Sequence, residues 1–175
     1  MRIKEFHEII IDHHPFSDIL NKQILEDINQ FKYHSYEETS YYTNIHANQV
    51  TIPPEKRTES LNNVLKWVDQ VLQCNEWYIK TYEHDGEISI SLWAARYNKG
   101  EYTVSHHHFP YSIFAFVYFV KSPPGSSPLV FSRSGKRIKP EEGKLVIFPG
   151  NVMHHVPKNN SDDRVTLAGN IGVSL

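Results

Sequence analysis

The chain has 175 residues, of which 39% are hydrophobic and 13% aromatic, and its net charge at pH 7 is -2. This length and composition fit one folded domain with a buried core, and they exclude a disordered chain or a strongly basic nucleic-acid-binding protein. The single cysteine, Cys74, excludes an intramolecular disulfide and fits a reducing compartment. No stretch has the pattern of a signal peptide or the roughly 18 apolar residues of a membrane span. We therefore expect a cytoplasmic protein with neither a membrane nor a nucleic-acid partner.

Two helices are predicted in the first half of the chain, after a short strand-like stretch. Residues 17–31 carry apolar side chains at helical spacing, and Ser17 or Asp18 is the expected N-cap. A second helix is expected from Glu55 to about Cys74, because two prolines precede a single apolar stripe there. Both helices are expected to pack on the outside of a β core.

The segment between these helices, residues 33–54, is rich in tyrosine and polar residues and has no clean period. Long connecting segments of this kind are frequently functional. We expect this one to form a lid or to contact a substrate.

The second half of the chain consists of short β-branched and aromatic runs separated by turn signals such as "KSPPGSSP" and "KPEEGK". Many short strands without intervening helices favour an antiparallel sandwich or barrel. The run "SIFAFVYFV" is apolar on both faces and is predicted to be a central, covered strand. The expected architecture is α+β and mainly β. It comprises one domain over residues 1–175, with helical support at about 15–75 and a β core at about 77–175.

Three consecutive histidines stand in the strand-like stretch "YTVSHHHFPYS". On an extended strand, residues two apart share a face, so His106 and His108 face one side with Tyr102 while His107 faces the other. Two imidazoles in this arrangement can bind one metal ion, although a histidine run at a strand end is also common as a solvated feature. A third candidate ligand elsewhere in the chain would favour the metal site over the solvated histidine run.

That further ligand is predicted in "GKLVIFPGNVMHHV", where a strand and a turn deliver His154 and His155. Either could be the third ligand. Arg164 follows at the start of a strand that looks buried, with Thr166 and Asn170 on the same face. A guanidinium inside a barrel needs an anionic partner, and a bound carboxylate would provide one.

These stretches together resemble the Fe(II)- and 2-oxoglutarate-dependent oxygenases, specifically a small bacterial and phage group related to prolyl 4-hydroxylases. The matching pieces are "GEYTVSHHHFP", "VYFVKSP", "EEGKLVIFPGNVMHHV" and "RVTLAGN", in the expected order over about residues 93–170. The resemblance implies a double-stranded β-helix (jelly-roll, cupin-like) core with supporting helices. It also implies Fe(II), 2-oxoglutarate and O2 as cofactor and co-substrates, and hydroxylation of a peptide or small molecule.

Carried over to this chain, the resemblance makes His106, His108 and His154 the metal ligands. Arg164 would hold the far carboxylate of 2-oxoglutarate, with Thr166 as a second contact. Tyr102 and Tyr118 are further candidates for contacting 2-oxoglutarate. The remaining candidates, for the substrate pocket, are Trp93, Arg96 and Asn170. The other histidines are expected to be surface or capping residues.

One feature departs from most of the superfamily, in which the second ligand is a carboxylate. Three neutral imidazoles suit ferrous iron but also suit zinc, so the metal is less defined than the site. Two alternatives to the oxygenase remain. One is a cupin-like three-histidine dioxygenase that uses no keto acid, and the other is a non-catalytic metal-binding β module. The sequence does not define the substrate, and it leaves oligomerisation open.

Overall fold

A computed structural model describes residues 9–38, 43–75 and 87–174. These residues contain two α-helices, a 3-10 turn and eleven strands, and they confirm the predicted mainly β, α+β class. The helices are α1 (Ser17–Ile28) and α2 (Glu59–Gln73), and the 3-10 turn is Pro54–Lys56. The strands are β1 (Ile10–His13), β2 (Ile45–His46), β3 (Asn48–Thr51), β4 (Glu87–Tyr97), β5 (Tyr102–His106), β6 (Phe114–Lys121), β7 (Leu129–Phe131), β8 (Arg137–Ile138), β9 (Lys144–Pro149), β10 (His154–Val156) and β11 (Arg164–Ser174).

The described strands form two antiparallel sheets, as expected for a jelly-roll core. The larger sheet has the order β1-β9-β6-β11-β4-β3, and the smaller has the order β2-β5-β10-β7-β8. The predicted central strand is confirmed, because β6 lies between β9 and β11 and is buried on both faces. The longest pairing joins β11 to β4 and sets Arg164 opposite Tyr97.

Both helices pack on the outer face of the larger sheet, where their apolar side chains form one core with alternate residues of β4, β6, β9 and β11. The α2 stripe at Leu61, Val64, Leu65, Val68 and Leu72 is buried as predicted. The two helices are joined by Asp27, whose Oδ2 accepts hydrogen bonds from Thr58 Oγ1 at 2.6 Å and Ser60 Oγ at 2.5 Å. Neither helix of the described residues has the length and apolar composition that a membrane span requires.

The helix starts differ slightly from the prediction. Phe16, not Ser17 or Asp18, occupies the N-cap position of α1, and its backbone N–H is bound by His14 Nδ1 at 3.2 Å. The expected second helix is split, because the chain forms a 3-10 turn after the prolines and α2 begins only at Glu59. A proline fixes its own φ, but it does not oblige the residues that follow it to form an α-helix.

The opposite face of the larger sheet packs against the smaller sheet and encloses the interior that holds the site. At one end this interior is filled by Phe119, Phe131, Phe148 and their neighbours. At the other end Ala95, Tyr97 and Val156 come together. The candidate site lies between these two apolar clusters.

Strand β5 contains an irregularity that affects the site. Its pairing with β10 places His106 opposite His154 but Thr103 opposite Val156, so three steps along β5 match two along β10. A β-bulge of this kind breaks strict alternation and turns side chains to the other face. As a result Thr103 and His106, which are three residues apart, both line the interior.

Candidate metal and co-substrate site

Three histidine side chains converge between the two sheets. The nearest ligand atoms of His106, His108 and His154 all lie within 4.8 Å of one another, which is close enough to bind one metal ion. The ring centroids are 4.3 to 5.1 Å apart. His106 ends β5 and His154 begins β10, while the backbone N–H of His108 donates to Gly150 O at 2.7 Å. Two strands and one anchored loop therefore position the cluster.

Backbone hydrogen bonds fix the orientation of two of these rings. Nδ1 of His106 lies 2.8 Å from Val104 O, and Nδ1 of His154 lies 2.9 Å from Val152 O. A carbonyl can only accept, so Nδ1 carries the proton in each ring and Nε2 is left with a free lone pair. This is the tautomer that a metal ligand needs.

The three imidazoles are also held in the neutral form. Burial lowers the pKa of His106, lowers the pKa of His108 to about 4, and lowers the pKa of His154 well below its usual value. The neighbouring histidines lower each pKa further because charged rings would repel one another. Neutral imidazole is the metal-binding form, so protons do not compete for this site at pH 7.

The neighbouring histidines point elsewhere. His107, in the loop directly after β5, is exposed between the two clustered residues. His154 is buried and belongs to the cluster, whereas His155 does not: its Nδ1 lies 2.8 Å from Ser132 Oγ. The favoured choice of His154 over His155 thus agrees with the geometry.

Arg164 lies in the wall of the same interior cavity. Its side chain is 1% exposed, and its guanidinium rests over the rings of Tyr97 and Phe119, 4.7 and 5.4 Å from their centroids. Its Nε donates to Ser127 O at 3.0 Å, but the buried NH1 group has no hydrogen-bond partner. An unpaired buried donor of this kind is expensive and needs an explanation. A bound anion would supply the missing acceptor.

Several hydroxyl groups accompany this guanidinium. Thr166 lines the cavity, and so do Tyr97 and Thr103, whose hydroxyl oxygens are 2.7 Å apart. Tyr97 and Thr103 do not appear among the residues singled out by the sequence. Tyr97 has the same strand parity as Trp93, but its position beside Arg164 depends on the β4–β11 register. Thr103 faces inward only because of the bulge in β5.

Two connected spaces meet at the histidines. The inner cavity, lined by Arg164 and Thr166, has a volume of about 50 Å³, several times what one water molecule requires. A wider groove of about 690 Å³ opens outward from His106, His108 and Trp93. Its other wall is formed by parts of the tyrosine-rich segment, namely His34, Glu38, Thr43, Asn44, Ile45, Gln49, Val50 and Thr51.

Both tyrosines that were predicted to contact 2-oxoglutarate lie away from the cavity. Tyr102 stacks on His46 with a centroid distance of 4.5 Å and lines the outer surface of the smaller sheet, because the β5 bulge reverses its direction. Tyr118 faces the helices, where its hydroxyl donates to Asn21 Oδ1 at 2.6 Å and its ring packs against Trp67. Both placements argue against the predicted cofactor contacts.

The three substrate-pocket candidates are divided in a similar way. Trp93 lines both spaces, with its ring 6.3 Å from that of His108. Arg96 donates to Asn29 Oδ1 at 2.6 Å and pairs with Asp163, and it is not among the described residues that line these two spaces. Asn170 keeps the strand parity of Arg164, and its buried Oδ1 has no hydrogen-bond partner.

The other histidines in the described residues have structural surroundings. His13 is exposed beside Glu141, and His14 accepts the backbone N–H of Phe16 just before α1. His46 is stacked between Tyr36 and Tyr102. His34 departs from the expectation because it lines the groove. His7 and His84 lie outside the described residues.

Comparison with known proteins was made both by sequence and by structure. No protein-family model and no curated protein matches this chain by sequence. Solved structures match along almost its whole length. A prolyl-4-hydroxylase from Pseudomonas putida has a TM-score of 0.74 and 18% identity, covering 97% of this chain and 94% of its own. The viral collagen prolyl hydroxylase of Paramecium bursaria Chlorella virus-1, solved with 2OG, has a TM-score of 0.71 and 15% identity, covering 95% and 96%.

A third similar structure is a prolyl hydroxylase from Trichoplax adhaerens in complex with a peptide fragment of the hypoxia-inducible factor oxygen degradation domain. It has a TM-score of 0.71 and 14% identity, and the match covers 94% of this chain and 83% of that one. This chain has the fold of the 2-oxoglutarate- and Fe(II)-dependent oxygenases. At such low identity the similarity establishes the fold, and the chemistry has to be argued from the residues.

The residues of this oxygenase fold fit the cofactor and co-substrate that the family uses. Three convergent imidazoles, two of them oriented by backbone carbonyls, form a suitable donor set for Fe(II), and imidazole is also a common ligand of zinc. The unpaired NH1 of Arg164 fits a carboxylate in the adjoining cavity. The residues that could hold a metal ion and the guanidinium that could hold a carboxylate therefore line one cavity.

Proposed function

We propose that this protein is an Fe(II)- and 2-oxoglutarate-dependent dioxygenase that hydroxylates a peptide or small-molecule substrate. The observation that carries the proposal is the shared cavity of the three-histidine cluster and Arg164, whose buried NH1 group has no partner in the protein. A metal site alone has no need for a desolvated guanidinium beside it. A dicarboxylate that binds the metal at one end accounts for both features.

In this proposal His106, His108 and His154 hold Fe(II) through their Nε2 atoms. Bound iron would supply oxidative decarboxylation of 2-oxoglutarate by O2, coupled to insertion of one oxygen atom into a substrate C–H bond. The protein's own contribution is to hold the ligands in the neutral form, to orient the rings and to exclude water. The carbonyls of Val104 and Val152 perform the orienting role for two of the three rings.

Arg164 would bind the carboxylate of 2-oxoglutarate that is distant from the metal. Its Nε is already fixed by Ser127 O, which leaves NH1 as a buried donor for the co-substrate. The hydroxyl group of Thr166 lines the same cavity, and the hydrogen-bonded pair of Tyr97 and Thr103 has one hydroxyl hydrogen left to donate. Because these donors are buried, charge-assisted bonds to a carboxylate would be strong there.

The substrate would approach through the wide groove. Its opening is flanked by Trp93, and the loop after His108 exposes Phe109 and Tyr111, which are 61% and 90% accessible to solvent. Exposed aromatic side chains in a loop that follows a groove-lining residue favour a peptide, since they supply large contact areas with few torsions to fix. The peptide complex of the Trichoplax adhaerens prolyl hydroxylase supports the same choice. Asn170 is a candidate substrate contact because its buried Oδ1 still needs a donor.

The alternatives fit the residues less well. A cupin-like three-histidine dioxygenase without a keto acid leaves the buried NH1 group of Arg164 without an explanation. A structural zinc site normally has four protein ligands, whereas the cluster found in the described residues has three. Cys74, the soft candidate for a fourth ligand, is exposed directly after α2.

Turnover of 2-oxoglutarate tests the proposal. Purified protein is loaded with Fe(II) in the presence of ascorbate, exposed to air with 2-oxoglutarate, and assayed for succinate. We expect succinate that depends on both iron and the three histidines, with Arg137→Met, an exposed arginine, as a neutral control. Tight binding of a metal together with a complete lack of succinate formation and of 2-oxoglutarate binding would favour the non-catalytic module.

A further inference from the structure

Three polar side chains form a hydrogen-bonded chain on the outer surface of the smaller sheet. Ser105 Oγ lies 2.6 Å from Ser132 Oγ, and Ser132 Oγ lies 2.8 Å from Nδ1 of His155. We call these three residues the outer strap. They come from β5, from the residue after β7, and from β10, so the strap crosses three neighbouring strands.

The outer strap lies directly behind the metal cluster. Ser105 immediately precedes His106, and His155 immediately follows His154. Ser132 follows Phe131, which is paired with His154 in the sheet. The strap and the clustered histidines therefore occupy opposite faces of the same short stretch of sheet, with the strap outward and the histidines inward.

This stretch of sheet has little regular pairing of its own. Strand β10 has only three residues, and its pairing with β5 is interrupted by the bulge between His154 and Val156. A short, bulged ladder holds the spacing of two strands weakly. The side-chain bonds of the strap add a link across the strands at the place where His106 and His154 must keep a fixed separation.

We propose that Ser105, Ser132 and His155 are positioning residues that fix the spacing of His106 and His154 for metal binding. This inference rests on the proposed metal site but goes beyond it, since none of the three side chains belongs to the cluster. When His155 carries its proton on Nε2, Ser132 donates to Nδ1 and Ser105 donates to Ser132. Successive bonds in one direction strengthen one another.

Cobalt(II) binding to the full chain tests the strap without any substrate. We expect Ser132→Ala to weaken Co(II) binding about tenfold and to change the visible ligand-field spectrum, because loss of two hydrogen bonds loosens the geometry. Ser132→Thr, which keeps the hydroxyl group, should restore both affinity and spectrum. His107→Ala, an exposed residue between two ligands, should leave both unchanged.

The thermal midpoint of the metal-free variants separates positioning from general stability. We expect the midpoint of Ser132→Ala to stay close to that of the wild type, since the bonds are exposed. Wild-type cobalt affinity and spectrum in Ser132→Ala would overturn the proposed positioning role of the strap. A large fall in the thermal midpoint of the metal-free variant would overturn it as well. A wild-type chain that binds no cobalt would overturn the metal site itself, a distinct result that removes the basis of the strap as well.

Discussion

Replacement of Arg164 by methionine should separate stability from co-substrate binding. Methionine fills a similar volume but removes the charge, the Nε bond to Ser127 O, and the unpaired NH1 group. Loss of the Ser127 bond and of the contact with Tyr97 destabilises the fold by about 1 kcal/mol each. Relief of an uncompensated buried charge acts in the opposite direction by about 1–4 kcal/mol. We therefore expect the metal-free, 2-oxoglutarate-free protein to remain as stable as the wild type within about 1–2 kcal/mol.

Binding of 2-oxoglutarate should respond much more strongly. A charge-assisted hydrogen bond contributes about 1.5–3 kcal/mol, so its loss corresponds to roughly 10- to 150-fold weaker binding. Calorimetric titration of 2-oxoglutarate into the anaerobic, Fe(II)-loaded protein measures this change, and chemical denaturation measures the stability. Arg137→Met, on the exposed surface, serves as the matched control. Unchanged 2-oxoglutarate affinity in Arg164→Met would refute the assignment of Arg164, even if the protein folded normally.

Three further predictions concern the metal site and its supporting loop. His154→Ala should reduce metal affinity by more than about a hundredfold in a metal-binding titration, whereas His107→Ala should not; equal losses in both variants would contradict the cluster. Because burial lowers the pKa of His108 to about 4, the metal-free protein should keep its full stability above the ordinary histidine pKa of 6.5 and lose stability as the pH falls towards 4. Denaturation at a series of pH values checks this, and a stability that rises as the solution is acidified through that window would be inconsistent with a buried neutral ring. Gly150→Ala should destabilise the fold by about 2 kcal/mol or more in thermal denaturation, since a Cβ there would lie 2.1 Å from Ser112 O; a near-neutral change would show that this loop can move aside.

Much of the site could be predicted from local patterns. The parity of His106 and His108, with His107 on the opposite side, followed from strand alternation, and the face shared by Arg164 and Thr166 followed from the same rule. The two histidines follow the β5 bulge, and β11 keeps an unbroken register with β4 from Arg164 onward. Arg96 and Trp93 are three residues apart on a regular strand, so alternation already implied that they could not share a face.

Other features depended on information that the sequence does not contain. The bulge in β5 turned Thr103 inward and Tyr102 outward, and nothing in the local composition marks its position. Tyr118 lies on a strand that is apolar on both faces, so periodicity could not show which side it occupies. The contact of Tyr97 with Arg164 arises from the register of two strands more than sixty residues apart in the chain.

The interdependence of Fe(II) and 2-oxoglutarate binding tests the central claim most directly. Anaerobic titrations of 2-oxoglutarate are compared for wild type with and without Fe(II), for His154→Ala with Fe(II), and for Arg164→Met with Fe(II). We expect tight binding, at one 2-oxoglutarate per chain, only in the iron-loaded wild type. Equally tight binding without iron, or in either variant, would contradict a shared site formed by the three histidines and Arg164.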